Sequence, residues 1–340
     1  MNSNVSSASA PMIDGFGRRI EYLRISVTDR CDLRCRYCMA EKMTFLPRKE
    51  VLSLEEIAII ADRFIARGVR KIRLSGGEPL VRRDFMELVR RIGRHIEHGT
   101  LDELTLTTNG TRLAQHAQGL ADAGIKRINV SIDSLDPERY SFITRGGKIS
   151  AVHEGLAAAR EAGIRIKINM VALRGFNDSA FVSMLEWCAD QGHDLTLIET
   201  MPLGEIDEDR TDRYLPLGEA VQQIEERYPL TPLSYRSGGP ARYFSAQGLE
   251  NVRLGLITPL SNNFCAGCNR MRLTCEGKIY MCLGHEDHVD FKTAYRTGGI
   301  DAVDAALDRA LVAKPLAHDF QIGPDGDSGT TRRHMSVTGG

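Results

Sequence analysis

EYLRISVTDRCDLRCRYC, residues 21–38, governs how the rest of the chain is read. Its first half, EYLRISVT (21–28), is a β-rich run that predicts a strand. Its second half is C-x3-C-x2-C, with thiols at Cys31, Cys35 and Cys38. The triplet therefore sits just past a strand, where the chain must wrap. Thiolates select soft metals. A zinc site normally wants a fourth protein ligand, and none stands close in sequence. Three thiolates on an iron–sulfur cubane leave one iron open. That iron can chelate an amino acid-like ligand and pass one electron to a sulfonium, with the protein supplying ligation and orientation. A structural zinc knuckle is the competing reading of the spacing.

Outward from this stretch the chain repeats one unit: strand, loop, amphipathic helix, glycine stop. SLEEIAIIADRFIARG (53–68) predicts a helix opened by a Ser53/Glu56 capping box and closed at Gly68. KIRLSGGEP (71–79) is a strand with a glycine turn, and Asp84 and Glu87 can cap the helix that follows. Further strands are expected at 103–109, 127–133, 165–171 and 194–200, and helices near 112–123, 149–162 and 178–190. Gly124, Gly163 and Gly192 each close a helix just before a strand. Six β/α units with short, mostly apolar strands argue for an α/β fold, a parallel sheet with helices outside. An open doubly wound sheet and a partial barrel both fit. Polar residues at the strand ends favour a barrel-like mouth.

The grammar changes after about residue 215. PLTPLSYRSGGPARYF (229–244) is Pro/Gly-rich without helical period. Short strands are expected near 251–258, 270–275 and 278–283, with a helix near 300–312. The resulting division is a flexible lead-in at 1–17, the β/α region at 18–228, a smaller C-terminal α+β domain at 229–322, and a flexible tail at 323–340.

The 340 residues carry Lys+Arg 44 against Asp+Glu 45, so nothing in the charge asks for nucleic acid as partner. No apolar run reaches the length of a membrane span. The polar N-terminus lacks the apolar core of a secretory signal. A cytoplasmic setting, where thiols stay reduced, is expected. Six of the eight cysteines fall into two triplets, and such clusters read as metal sites rather than disulfides.

The second triplet is Cys265, Cys268 and Cys282, with Cys275 left over. From the residues alone, four thiols suit tetrahedral zinc and three suit a second open cluster. Basic residues lie at strand positions between the triplets. Arg24 is in the first strand. Lys71 and Arg73 share parity in the second, and Lys167 stands between Ile166 and Ile168 in the fifth. Arg270 and Arg272 alternate onto one side. A cation pointing inward is costly unless paired, and arginine forks suit phosphate oxygens. GxxxxGK[ST] is absent, so a P-loop is not expected. The scattered histidines give no acid–base pair.

C-x3-C-x2-C after a first strand, with Tyr37 before the third cysteine and GGEP at 76–79, resembles the radical S-adenosylmethionine (radical SAM) family. C265-x2-C268-N-R270-M-R272, followed by Gly277, Lys278 and Cys282, is similar to that family's GTP 3',8-cyclases of molybdenum-cofactor biosynthesis. The likeness runs from residue 23 to Gly340. It departs at Cys275, where a small residue is usual, and at Ala40, where proline is common.

The resemblance implies a partial (β/α)6 TIM-like barrel whose C-terminal domain carries a second iron–sulfur cluster. Cys31, Cys35 and Cys38 would hold one 4Fe–4S cluster, and Cys265, Cys268 and Cys282 another, each with one open iron. Tyr37, Gly77, Ser131 and Met201 would surround S-adenosylmethionine. Arg24, Lys71, Arg73, Thr107, Lys167, Arg270 and Arg272 would contact GTP. Arg270, Arg272, Gly339 and Gly340 would support catalysis, the glycine pair by reaching the active site. Asn109 and Asp133 stay unassigned polar rim residues. The terminal Gly-Gly leads to the expectation of a full-length chain, and Arg332 and Arg333 offer docking points for the tail. The implied product is 3',8-cyclo-7,8-dihydro-GTP. Implied partners are a reducing electron donor, a second copy of the chain in a homodimer, and a downstream cyclic pyranopterin monophosphate synthase. A peptide-modifying radical SAM maturase and a zinc-stabilised interaction protein are the alternatives.

Overall fold

A computed structural model describes residues 11–201, 203–204, 213–262, 264–318, 320–323, 326–328, 331 and 333–339. Six parallel strands follow one another in chain order. They are β1 (Tyr22–Ser26), β2 (Lys71–Ser75), β3 (Glu103–Thr108), β4 (Arg127–Ser131), β5 (Arg165–Ala172) and β6 (Asp194–Glu199). A doubly wound sheet reverses its strand order at a switch point, and this one does not. With right-handed crossovers, sequential order puts the connecting helices on one face.

Each strand alternates between two environments. Leu23, Ile25, Ile72, Leu74, Ile128 and Val130 join the hydrophobic core. The residues between them, such as Tyr22, Arg24, Arg73, Asn129 and Ser131, line a cavity on the other face. The expectation of mostly apolar strands thus describes only the helix-covered face.

Local rules account for the helices. α1 (Leu54–Ala66) opens with the expected capping box. Ser53 Oγ accepts from Glu56 N at 3.1 Å, and Ser53 N donates to Glu56 Oε2 at 2.8 Å. In α2 (Phe85–Glu97) the expected Asp84 cap is not made: Asp84 takes φ 58 and its side chain bonds no helix N–H. α3 (Leu113–Asp122), α5 (Ile149–Glu161) and α6 (Phe181–Gln191) lie close to their expected spans. α4 (Pro137–Thr144) was not anticipated. Its signal is Asp136, which accepts from Arg139 N at 2.7 Å, with Pro137 at the first helical position. α7 (Leu217–Glu225) also went unread.

The C-terminal stretch lengthens this same sheet at both edges. β9 (Leu249–Ile257) pairs in parallel with β6, and β8 (Arg242–Ala246) and β7 (Leu230–Leu233) add antiparallel beyond it. At the other edge β10 (Arg270–Leu273) pairs in parallel with β1, followed by β11 (Lys278–Tyr280) and β12 (His288–Asp290). Met271, Leu273 and Phe291 belong to the same core as Leu23 and Ile25. The stretch from 229 onward therefore shares one sheet and one core with the six β/α units. α8 (Phe291–Val312) begins well before the expected residue 300 and is broken at Gly299, with φ 65 and ψ −150. Its Phe291 meets Phe64 of α1 at 5.9 Å between ring centroids. Burying each such ring contributes about 1.5–3 kcal/mol.

Both chain ends make contacts with the body of the fold where they are described. In the lead-in, Met12 and Ile20 are buried, and Ile13 bridges Arg19. Arg18 donates to the carbonyls of Cys265 and Pro315 at 2.9 and 2.6 Å. Within residues 11–17, Met12 and Asp14 are buried and the others exposed; residues 1–10 lie outside the described residues. At the other end α9 (Met335–Thr338) packs on β1, with Ser336 and Thr338 buried. The strand pair Gln321–Gly323 and Gly326–Ser328 precedes it. Among the described residues no helix is long and apolar enough to cross a membrane.

Candidate active site

Register brings the expected cations together. Arg24 of β1 stands opposite Arg73 of β2 on one side and Arg272 of β10 on the other. One step back along the strands, Tyr22 lies between Lys71 and Arg270. Parallel pairing aligns positions of equal parity, so all these side chains share the face away from the helices. Arg270 and Arg272 are buried. The Nε atoms of Arg24, Arg73 and Arg270 are buried without a hydrogen-bond partner. Among the described residues no carboxylate pairs with any of the four arginines.

The electrostatics follow from this crowding. Burial and neighbouring Arg272 hold Arg24 well below its usual range. Burial and Arg270 bring Arg272 down to about 10. Lys167 is pulled well below the lysine range by burial, then by Arg73, Arg127 and Lys71. Its one side-chain hydrogen bond among the described residues, Nζ to the Tyr243 hydroxyl, is 3.3 Å long. Burial alone would raise the Tyr22 phenol, yet Arg73, Arg24, Lys71 and Arg270 together lower it. Its ring lies 5.2–5.8 Å from the cationic groups of Lys71, Arg73 and Arg270. A cation cluster left uncompensated inside a protein suits a polyanionic ligand.

Lys71 differs from the expectation. Its ammonium pairs with Glu103 at 2.6 Å and donates to the Ser237 carbonyl at 2.6 Å. It shares the parity of Arg73 but does not line the cavity, because Glu103 of the next strand holds it.

A cavity of about 310 Å³ opens over these strands and is lined by both cysteine triplets. Cys31, Cys35 and Cys38 lie in a loop fastened to α4: Arg34 N and Arg36 N donate to the carbonyls of Thr144 and Ile143. Leu33 N and Asn109 Nδ2 approach Cys31 Sγ at 3.4 and 3.7 Å. Burial pushes the Cys31 thiol up to about 12 and holds Cys35 well above its usual value. Bare thiols in this setting stay protonated, and metal binding would have to release those protons. The donor chemistry, three thiols on one rim with backbone N–H support, fits an iron–sulfur cluster. Among the described residues no three His, Cys, Asp or Glu side chains converge on a point that would hold a single metal ion.

The GGEP turn braces this loop. A Cβ on Gly77 would meet the Arg30 carbonyl oxygen at 2.3 Å, and one on Gly76 would meet that of Thr28 at 2.4 Å. The glycines are thus required by backbone packing against the root of the cysteine loop. Gly77 also lines the cavity. Glu78 is fully buried and accepts from Asn109 N, Leu80 N and Thr108 Oγ1 at 2.6–3.0 Å. Burial nevertheless raises it to about 7. Tyr37 lines the cavity and donates its hydroxyl to Asp133 Oδ2 at 2.7 Å. Asp133 also accepts from Val171 N, and burial lifts it to about 6. Thr107, Ser131 and Met201 line the same cavity.

Cys265 and Cys268 sit on a tight turn, with Cys268 N donating to the Cys265 carbonyl at 3.0 Å. Cys282 follows β11. Burial would raise the Cys268 thiol, but Lys314 and Arg270 bring it below its usual value. Cys275 is fully buried and does not line the cavity. The tail reaches the site: Met335 and Ser336 line the cavity, and Arg272 Nη1 donates to the Gly339 carbonyl at 3.0 Å. Arg333 fastens the tail through Glu286 and the Leu283 carbonyl. Arg332 and Gly340 lie outside the described residues.

Among the cavity residues that went unread in the sequence are Tyr22, Asn129 and Asn169. Both polar side-chain atoms of Asn129 and Oδ1 of Asn169 are buried without partners. Their signal is alternation with Arg24, Ser131 and Lys167 along their own strands.

Comparison with known proteins adds to this geometry. Residues 25–188 match the Radical SAM superfamily, and residues 193–320 match Molybdenum Cofactor Synthesis C. The chain is 55% identical over 333 residues to the GTP 3',8-cyclase of Agrobacterium fabrum, covering 98% of this chain and 95% of that protein. It is 55% identical over 334 residues to the GTP 3',8-cyclase of Erythrobacter litoralis, covering 98% of this chain and 100% of that protein. Among solved structures, Streptococcus suis SuiB bound to S-adenosylmethionine superposes with TM-score 0.57 at 17% identity. That overlap covers 83% of this chain and 65% of SuiB, and it bears on the fold alone.

Proposed function

Since the chain belongs to the GTP 3',8-cyclase family of the radical SAM superfamily, we propose that GTP is held in its cavity between two 4Fe–4S clusters. The family's reaction serves molybdenum-cofactor biosynthesis. In this reading the sequential strands form a partial (β/α)6 barrel, and the C-terminal strands carry the second cluster at its edge. The observation that carries it is the row Arg272–Arg24–Arg73, unpaired by any carboxylate among the described residues, between two thiol triplets on one cavity.

When bound, the first cluster and S-adenosylmethionine would supply the one-electron chemistry that starts cyclisation of GTP between the ribose C3' and guanine C8. The protein's own part is placement. Cys31, Cys35 and Cys38 fix one end of the cavity, with Tyr37, Gly77, Ser131 and Met201 around the sulfonium ligand. Arg24, Arg73, Arg270, Arg272 and Lys167 neutralise the triphosphate, and Thr107 contacts the nucleotide. Cys265, Cys268 and Cys282 would hold the second cluster, which would supply an open iron site for the substrate. Fixing the ribose C3' within reach of the radical carbon is positional catalysis. The tail, through Gly339, helps to exclude water and stray donors. An external electron donor, a homodimer and a downstream synthase belong to the same proposal.

The test is an anaerobic assay with iron-loaded protein, a reductant, S-adenosylmethionine and GTP, read by mass spectrometry. A cyclised nucleotide with 5'-deoxyadenosine and methionine is expected. Cleavage of S-adenosylmethionine that GTP does not alter, with no nucleotide product, would overturn the assignment.

A further inference from the structure

Lys314 follows α8 by two residues, after Ala313, and its side chain is turned inward with 2% exposure. Its ammonium has three acceptors. They are the Cys268 thiol at 3.5 Å, the Arg270 carbonyl at 3.1 Å and the Met281 carbonyl at 2.7 Å. An ammonium has three protons to donate, so this geometry uses all of them. Among the described residues it has no carboxylate partner. A buried ammonium without a counter-ion is costly. The nearby groups able to carry negative charge are the thiols of the second triplet.

We propose that Lys314 is the positioning residue of the second cysteine triplet, joining its two halves and raising the reduction potential of the cluster it holds. This rests on the reading of Cys265, Cys268 and Cys282 as cluster ligands. The joining is visible in the acceptors. The Arg270 carbonyl lies two residues after Cys268, and the Met281 carbonyl immediately precedes Cys282. One side chain thus ties the turn before β10 to the loop after β11. Arg18 supports the same arrangement from outside, since it ties the Cys265 carbonyl to those of Pro315 and Leu316, the two residues after Lys314. The electrostatic part follows from charge. Reduction adds an electron to the cluster, and a fixed cation with an N–H aimed at a ligating sulfur favours the reduced form.

The test uses the full chain with Cys31, Cys35 and Cys38 changed to Ala, so that one cluster remains to be observed. About four irons per chain are expected; no iron would sink the second-cluster reading itself, independently of Lys314. In this background Lys314→Gln keeps hydrogen-bond donors and loses the charge, whereas Lys314→Arg keeps the charge. A redox titration followed by electron paramagnetic resonance should show the Gln variant shifted to more negative potential and the Arg variant close to the parent. Lys314→Met, which lacks both charge and donors, should shift at least as far as Gln or lose its iron while the chain stays folded by circular dichroism. Equal potentials and full iron in the parent, Gln and Met proteins would overturn the proposal.

Discussion

Arg272 holds the carbonyl oxygen of Gly339 at 3.0 Å from Nη1, so the strand beside the second cysteine triplet grips the end of the chain. Gly339 takes φ +78, and a Cβ there would meet Ser75 Oγ at 2.2 Å. Gly339→Ala is expected to strain this grip by about 1–2 kcal/mol and lower kcat roughly tenfold. S-adenosylmethionine cleavage should persist, uncoupled from cyclisation. Measuring 5'-deoxyadenosine beside cyclised nucleotide checks this; unchanged coupling would remove the tail from the reaction.

Arg73→Met should act in opposite directions on binding and stability. The variant loses a charge-assisted contact of about 1.5–3 kcal/mol, so KM for GTP rises roughly 10- to 100-fold. Without ligand, Arg73 sits beside Arg24 with its Nε unsatisfied. The ligand-free variant should therefore melt at a higher temperature than the parent. A lower Tm together with an unchanged KM would show that Arg73 is a structural residue.

Glu78 gives a pH signature. Its carboxyl is raised by burial from the usual 4.5 to about 7. Between those values the folded chain keeps a proton that the unfolded chain has released. Stability from this group is thus fully present below the unfolded value and falls as pH rises toward 7. Glu78→Gln should flatten that part of the profile, at a constant cost from altered hydrogen bonds to Asn109 N, Leu80 N and Thr108 Oγ1. Urea midpoints of the ligand-free proteins from pH 4.5 to 7 provide the measurement; parallel profiles would contradict it.

Tyr37→Phe removes the hydroxyl that donates to Asp133 and leaves Val171 N as the donor to that carboxylate. Leaving a buried acceptor short of a partner costs about 1–3 kcal/mol. Urea unfolding at neutral pH should show this loss. The Asp133 carboxyl, already lifted to about 6, should titrate higher still.

Cys275→Ser should leave the iron content unchanged, because Cys275 is fully buried and lies off the cavity. Placing a hydroxyl there costs about 1–3 kcal/mol, reduced to the extent that Ser26 bonds it. Iron analysis after anaerobic loading decides: loss of iron would make Cys275 a ligand.

Local chemistry made much of this legible. The Ser53/Glu56 capping box, the glycine stops and the strand periodicity fix where units begin and end, because each depends on a few adjacent residues. The cysteine spacings marked both thiol groups for the same reason. The missed elements had local signals too: Asp136-Pro137 announces α4, the helix that fastens the first cysteine loop.

The sequence by itself determined the β/α units, the two thiol triplets and the parity that puts Arg24, Arg73, Lys167, Arg270 and Arg272 on definite faces. Only the tertiary structure decided what those faces meet. Strand order joins residue 24 to residue 272, a contact that no periodicity encodes, because pairing between distant segments is settled by the core they bury together. The same non-local pairing placed the C-terminal strands at the two edges of one sheet. It set Lys71 against Glu103 rather than in the cavity, and it brought Gly339 back to Arg272. Residue chemistry is written locally. Its use depends on which groups desolvate one another, and only the folded arrangement settles that.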